Sequence, residues 1–417
     1  MRVCIHRGTK EIGGTCVEIE SGQVRIVLDI GLPLNSEYPD VDLPDVKGFL
    51  ESDSTLLGIF VSHAHLDHYG LAMKLKSGAP IYIGADAKKI INAARLFVPG
   101  GFEVKESIDL KHRKPIDLGP FTVTPYLVDH SAYDSYAFLV AAEGKRLFYS
   151  GDFRGHGRKG KLFKDFLENP PGNIDVLLME GSTIGRGDSD FSYPTEDDLE
   201  GKLVNILNDT KGPALFWSSG QNIDRLVTAY KASRKTGRLF IVDMYTASIL
   251  RAIGNPRLPQ PGWRGFRVFL PRYQKKVIIE NQLFDFAKSF SDARVYPEDL
   301  KKLSSKSLIL FRPSMRFDLE NAQCLDDATL IYSMWPGYLK DDYYQKFLDW
   351  LNLKNIPLVH CHTSGHAPIQ DLQRLAKAIS PKRMVPIHTF EPERYHEFFG
   401  KVHLKDDGVW WEVSSEW

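Results

Sequence analysis

Leu56-Leu57-Gly58-Ile59-Phe60-Val61-Ser62-His63-Ala64-His65-Leu66-Asp67-His68 runs from an apolar block directly into three imidazoles and a carboxylate. The block is short and made of large and branched apolar residues, which predicts a buried strand. The histidines are then expected on the loop leaving the strand's end, where a rigid scaffold presents functional groups. His63, His65, Asp67 and His68 are too polar and too crowded to serve as core. Neutral imidazole with carboxylate is a donor set that zinc accepts.

Similar chemistry recurs at the ends of other predicted strands. Val24–Leu28 stops at Asp29, Val123–Val128 at Asp129-His130-Ser131, and Phe148-Tyr149-Ser150-Gly151 at Asp152. Val176–Met179 stops at Glu180 and Val385-Pro386-Ile387 at His388. A strand-terminal Asp taken alone is more often a turn or a cap. Several together, in an α/β chain, mark the edge where active sites are built, and these would supply a site for two metals with one bridging carboxylate.

The surrounding pattern supports α/β layering. Residues 1–32 read as a β-meander (strands Arg2–His6, Thr15–Ile19, Val24–Asp29), followed after the histidines by the start of a helix at Leu71–Lys76. Strands are expected at Pro80–Gly84, Phe121–Val128, Ala137–Ala141, Lys145–Ser150 and Val176–Met179, with a helix at Ala85–Leu96. Beyond Tyr193 the alternation becomes regular: helix 195–208 capped by Thr195, strand Ala214–Trp217, helix Asp224–Thr236, strand Arg238–Val242, helix Tyr245–Ile253. Strands Ser307–Phe311 and Thr329–Ser333 and a helix at Tyr343–Leu353 follow the Pro- and Gly-rich loop Gly254–Gly265. That spacing predicts a separate parallel sheet. Val409–Val413 reads as a last strand returning to the first domain.

The chain has 417 residues, enough for about two or three domains. With 43% hydrophobic and 25% charged residues it reads as a soluble globular protein, and no run approaches a membrane span. The polar, Gly-rich N-terminal sequence carries no secretory pattern. Cys4, Cys16, Cys324 and Cys361 form no CxxC pair and read as reduced thiols of a cytoplasmic protein. Lys+Arg and Asp+Glu both number 53, so nucleic-acid binding would need local positive surface. Two acid-free basic runs offer it: Arg251, Arg257, Arg264, Arg267, Arg272, Lys275 and Lys276 within Met244–Ile279, and Arg154, Arg158, Lys159, Lys161 and Lys164 within Phe153–Lys164.

His63-x-His65-x-Asp67-His68, a separate His130, Ser150-Gly151-Asp152 and the late His388 together resemble the metallo-β-lactamase superfamily. Glu180 after a buried strand, Ser364-Gly365-His366-Ala367, Val385-Pro386-Ile387-His388 and a long insertion between Glu180 and His366 resemble its β-CASP branch, which processes nucleic acids. His360, His362, Thr363, Glu11-Ile12-Gly13-Gly14 and Arg238–Asp243 are similar to the ribonuclease J group within it. The likeness spans essentially the whole chain. It departs from that group where Thr389 replaces the usual Gly after the last His, and where only 29 residues follow His388 instead of a C-terminal domain.

The resemblance implies an α/β metallo-β-lactamase αββα sandwich with an inserted β-CASP domain built on a parallel sheet. Residues 1–192 would form the first part of the sandwich, 193–357 the insertion, and 358–417 the last part with β-CASP motifs. It implies two Zn2+ per chain, with Mn2+ as an alternative. His63, His65 and His130 would hold one ion, Asp67, His68 and His388 the other, Asp152 would bridge them, and Asp29 would orient the cluster from behind. The implied activity is a ribonuclease cutting single-stranded RNA in a cleft between the domains, as a 5′ exonuclease or an endonuclease in RNA processing or decay. Hydroxide activated by both metals would attack phosphorus in line. Asp67, His366 and Glu180 are the catalytic candidates, His366 as general acid or transition-state stabiliser and Glu180 as its orienting partner. His362, Thr363, Ser364 and Gly365 form the candidate substrate-phosphate loop. A DNA nuclease of the same branch, a small-molecule ester or lactam hydrolase, and a non-catalytic RNA-binding partner subunit are the alternatives. No membrane partner is expected, and a homodimer is one option the sequence leaves open.

Overall fold

The computed structural model describes residues 1–34, 36, 40–98, 101–186 and 192–414. Its contacts divide the chain into two compact units. One comprises Met1–Arg95, Pro99–Tyr193 and Gly365–Trp417, the other Leu96–Val98 with Pro194–Ser364.

In the first unit β1 (Arg2–Arg7), β2 (Cys16–Ser21) and β3 (Val24–Leu28) form an antiparallel meander, and β4 (Leu56–Phe60) lies parallel to β3. A one-turn helix α1 (Leu66–Tyr69), then β5 (Ile81–Gly84), α2 (Ala85–Ala94) and β6 (Ile108–Leu110) follow. The helix expected at Leu71–Lys76 is only a 3-10 turn, Ala72–Lys74. The α-helical turn comes earlier because the carbonyls of Leu66 and His68 accept from the backbone N–H of Leu32 and Ile30 (2.9 and 2.8 Å), which docks that turn onto the segment after β3. Asp67 and His68 therefore sit on a helix, whereas His63 and His65 occupy the expected loop. Gly31 permits this docking, since a Cβ there would lie 1.8 Å from the Asp67 carbonyl oxygen.

The unit continues through β7 (Ile116–Leu118), β8 (Phe121–Val128), β9 (Ser135–Ala142), β10 (Lys145–Tyr149), α3 (Gly160–Glu168) and β11 (Val176–Glu180). Strands β6 and β7 had no sequence signal, because each is three residues long and largely exposed. Helix α3 occupies part of the second basic run. In that run Arg154 is fully buried against Asp129 (3.6 Å), so it is a packing cation and not the solvated loop charge that such runs usually carry.

The second unit begins with α4 (Glu196–Asp209). Its cap is reciprocal: Thr195 Oγ1 accepts from Asp198 N–H and Thr195 N–H donates to Asp198 (3.1 and 2.9 Å). Then come β12 (Ala214–Trp217), α5 (Ile223–Lys235), β13 (Leu239–Asp243), α6 (Met244–Ile253), β14 (Phe266–Phe269), α7 (Arg272–Glu280), α8 (Phe284–Lys288) and β15 (Arg294–Val295). The remainder is α9 (Pro297–Leu303), β16 (Ser307–Leu310), α10 (Arg316–Asn321), β17 (Thr329–Tyr332), α11 (Gln345–Leu353) and β18 (Leu358–His360). The sheet is wholly parallel, in the order β15-β14-β13-β16-β12-β17-β18. Residues 358–364, expected in the first domain, belong here instead, because Leu358–His360 pairs with Leu330–Tyr332 as an edge strand.

Glu196, in the first turn of α4, is buried. It pairs with the fully buried Arg225 (3.1 Å), whose guanidinium also donates to Ser333 and to the Thr363 carbonyl. Removing one partner of a buried pair strands the other charge. Arg225→Met is therefore expected to lower stability by about 3–5 kcal/mol, read as a lower urea midpoint for the transition that reports the second unit.

The chain returns to the first unit with α12 (Ile369–Ile379), β19 (Arg383–Ile387), α13 (Tyr395–Phe398) and β20 (Trp410–Glu412), the last pairing with β1. Two mixed sheets result, β20-β1-β2-β3-β4-β5-β6 and β19-β11-β10-β9-β8-β7. Alternate residues such as Val3, Ile5, Phe60, Phe138, Tyr149, Leu178 and Ile387 fill the core between them. Phe163 of α3 and Leu372 and Leu375 of α12 cover the outer face of the second sheet, and Ile59 of β4 packs with Leu71 and Ala72 outside the first. With both faces covered, β4 and β11 read as continuous apolar runs without alternation. No helix among the described residues is long and apolar enough to cross a membrane.

Candidate metal centre

The metal-ligand candidates converge at strand ends within the first unit. His63, His65 and His130 bring one ring nitrogen each within 4.8 Å of one another, and Asp67, His68, Asp152 and His388 do the same with one nitrogen or oxygen each. A further grouping joins His130, Asp152 and His366.

Asp29, at the end of β3, is fully buried and organises the cluster from behind. Its carboxylate accepts from Ser62 N–H (2.7 Å), Ser62 Oγ (2.8 Å) and Tyr149 OH (2.6 Å), and faces His68 Nδ1 at 2.8 Å. This fixes the ring so that His68 Nε2 points at Asp152, 3.1 Å away. Asp29→Asn replaces that orienting charge with an amide. Losses of such partners typically weaken metal binding by about 10–100-fold, a fall expected here in chelator competition.

His130 Nδ1 lies 2.7 Å from the Gly365 carbonyl, which assigns the proton to Nδ1 and leaves Nε2 free to ligate. His388 has a left-handed backbone (φ 54°), and its Nδ1 sits 3.0 Å from Thr15 Oγ1. Its Nε2 is buried without a hydrogen-bond partner, 3.7 Å from both Asp67 and Asp152. Asp152 Oδ2 stands among five imidazoles: His68 at 3.1 Å, His63 and His388 at 3.7 Å, His366 at 3.8 Å and His130 at 3.9 Å. Its Oδ1 is also buried and unpartnered. Orphaned buried polar atoms are costly unless something satisfies them. Here the orphans are a carboxylate oxygen and an imidazole nitrogen, both lone-pair donors, so the cluster fits a cation.

The electrostatics agree for His63, His65, His130 and His388. Burial, reinforced by neighbouring imidazoles, holds His63 and His130 well below the usual histidine range, and burial also lowers His65 and His388. Neutral imidazole is the ligating form. Burial would likewise lower His68, but Asp152 and Asp29 override it and raise the ring well above its usual value. Burial alone would raise Asp152, yet His388 and His68 hold it well below the carboxylate range.

Glu180, at the end of β11, is buried and accepts from Phe153 N–H and from the Ser182 N–H and hydroxyl (3.2, 3.2 and 2.9 Å). Its carboxylate faces His366 Nδ1 at 3.1 Å. The His366 side chain is 24% exposed. Burial would lower its pKa, but Glu180 and then Asp152 raise it to about 9.

The candidate phosphate loop is divided. Gly365 lies in the first unit, its carbonyl engaged by His130, while His362, Thr363 and Ser364 lie in the second. The buried Thr363 donates its hydroxyl proton to the Pro194 carbonyl at 2.6 Å, and His362 Nδ1 is 3.5 Å from Arg225. The Thr363 hydroxyl is therefore engaged within the fold.

Supporting residues emerged that sequence reading had missed. Lys159 donates to the His130 carbonyl (3.1 Å), and Arg154 N–H donates to the Asp129 carbonyl (2.7 Å), together fixing the loop that carries His130. Ser62 and Tyr149 hold Asp29, and Thr15 backs His388. Ser62 and Tyr149 could have been suspected from their places beside His63 and before Ser150-Gly151-Asp152. Thr15 and Arg154 carry no such local signal. Trp217 is core, packed edge-on against Tyr332, Tyr344 and Phe347.

Residues 45–191 match the family model described as a β-lactamase superfamily domain. The chain is 23% identical over 381 residues to ribonuclease J of Sinorhizobium meliloti, covering 87% of this chain and 63% of that protein. It is 23% identical over 397 residues to ribonuclease J of Helicobacter pylori (strain 26695), covering 91% and 55%. A 25% identity over 229 residues relates it to the transcription termination factor FttA of Methanothermobacter thermautotrophicus, covering 49% and 34%. The chain thus spans a little over half the length of the ribonuclease J proteins it matches. A crystallised protein of unknown function from Enterococcus faecalis V583 shares the fold with a TM-score of 0.79 at 23% identity, over 98% of this chain and 99% of that one. The His/Asp cluster is of the kind that forms the dinuclear metal site of the superfamily. Residues 45–191 thus carry a β-lactamase superfamily domain, and the chain is distantly related to ribonuclease J and FttA.

Proposed function

We propose that this protein is a metal-dependent hydrolase that cleaves the phosphodiester bonds of single-stranded RNA, with zinc as its metal. The observation that carries the reading is the Glu180–His366 pair, 3.1 Å apart, beside Asp152 at the edge of the metal cluster. Two divalent ions held by the His63/His65/His130 and Asp67/His68/Asp152/His388 groups would supply activated water and charge stabilisation at phosphorus. The chain's own residues supply the rest. Glu180 and then Asp152 raise His366 to about 9, and its partly exposed ring can deliver a proton to a departing oxygen. Glu180, fixed by Phe153 and Ser182, holds Nδ1 and so aims Nε2 outward. The named ribonuclease J and FttA relatives support an RNA substrate. The free, buried cysteines support a cytoplasmic location.

The test is a cleavage assay with zinc or manganese on single-stranded RNA labelled at either end, with DNA of the same sequence, a small ester panel and an Asp67→Ala control. RNA cleavage absent from the control is the expected result, and the products distinguish 5′ exonucleolytic from internal cutting. Cleavage of DNA alone, or of esters alone, by protein carrying two metals overturns the reading.

A further inference from the structure

Within the acid-free run Met244–Ile279 the cations have different surroundings. Arg251 is turned inward, its guanidinium 3.6 Å from the Phe290 ring centroid and bonded to Ser289. Arg272, Lys275 and Lys276 of α7 are exposed, and their i, i+3, i+4 spacing places them along one face. Arg272 and Lys275 make no side-chain ion pair among the described residues, and Lys276 has only the exposed Glu280 at 3.6 Å. Tyr273, beside Arg272, is 53% exposed.

An arginine–aromatic pair lies on α10, which is tied to the start of α7. Arg316 and Phe317 open α10, with the Arg316 guanidinium 4.7 Å from the Phe317 ring centroid and that ring 55% exposed. Asp318 accepts the backbone N–H of Arg272 at 3.0 Å, which ties the start of α7 to α10. The Asp318 carboxylate is thus engaged in joining the two helices, while three exposed cations, the half-buried Arg316 and two large exposed rings remain at the surface.

We propose that Arg272, Tyr273, Lys275, Lys276, Arg316 and Phe317 form a binding surface for single-stranded RNA. Bases stack on Tyr273 and Phe317, and phosphates meet the four cations. The choice of RNA among polyanions rests on the ribonuclease reading, but the surface itself does not. Charge alone would suit any polyanion. Exposed aromatic rings beside cations are what single-stranded nucleic acid uses, because every base offers a π-face. Burying the phosphate charge against lysine and arginine releases counterions, which makes binding salt-dependent.

The test uses the full chain carrying Asp67→Ala, so that bound RNA is not cut. Anisotropy is followed with an unstructured labelled RNA and with polyphosphate, over a range of salt. Tyr273→Ala with Phe317→Ala is expected to weaken RNA binding by about tenfold or more, with the salt slope and polyphosphate binding unchanged. Lys275→Ala with Lys276→Ala is expected to weaken both ligands and to reduce the log–log salt slope by about 1.4. Wild-type RNA binding by both double variants overturns the surface. Loss with the lysine pair alone overturns the stacking. If the wild-type chain cuts RNA while both variants bind normally, the surface falls and the ribonuclease reading stands. If it cuts no RNA yet the variants lose binding, the reverse holds.

Discussion

Asp152→Ala is expected to remove both the cluster's integrity and its activity. Its Oδ2 lies within 3.9 Å of ring nitrogens of His63, His68, His130, His366 and His388, which joins the two ligand groups. Without that carboxylate, the imidazoles have lost the negative charge that draws two cations together. Metal content measured by mass spectrometry should fall from two ions per chain to one or fewer. Hydrolysis should fall by orders of magnitude, because water without the metal pair is no longer acidified and stays protonated at neutral pH. The fold should persist, since the core between the sheets does not include this residue. Retention of both metals and of wild-type turnover would remove Asp152 from the bridging role.

His366→Ala is expected to reduce kcat by about 10²–10⁴-fold, the usual contribution of a general acid, while leaving metal content unchanged. Glu180→Gln separates positioning from mere structure through the pH profile. The acid must be protonated, so its activity is present below its pKa and lost above it. Burial works against the proton, and Glu180 and Asp152 restore it, raising His366 to about 9. When metals engage Asp152, Glu180 carries the remaining shift, so the alkaline limb of kcat should lie at or below pH 9. Removing the Glu180 charge should move that limb further toward neutrality. A limb that stays in place in Glu180→Gln, with kcat reduced, would make Glu180 a packing residue only.

Much of the centre was legible because its chemistry is local. His63, His65, Asp67 and His68 are adjacent in the chain, and a polar residue closing an apolar strand is visible wherever the strand itself is. Asp29, Asp152, Glu180 and His388 were found in that way. Harder to read were elements whose sequence lacks a period. The edge strands β6 and β7 are too short to alternate, and β18 looks like any apolar triplet until β17 lies beside it. The docking of α1 onto residues 30–32 was equally hidden, since it depends on Gly31 meeting the Asp67 backbone across the fold.

From the sequence alone came the layered α/β class, the existence of a separate parallel sheet, and the residue types of a two-metal site. These follow from periodicity and composition, which act over a few residues at a time. The tertiary structure alone decided which charges work and which merely pack. It buried Arg154 against Asp129 and Arg225 against Glu196, engaged the Thr363 hydroxyl with Pro194, and left Arg272, Lys275 and Lys276 in water. A cation's role depends on its partner and its exposure, and both are set by residues distant in the chain. Arg225 and Thr363, for example, are 138 positions apart, and nothing in either local sequence foretells their contact.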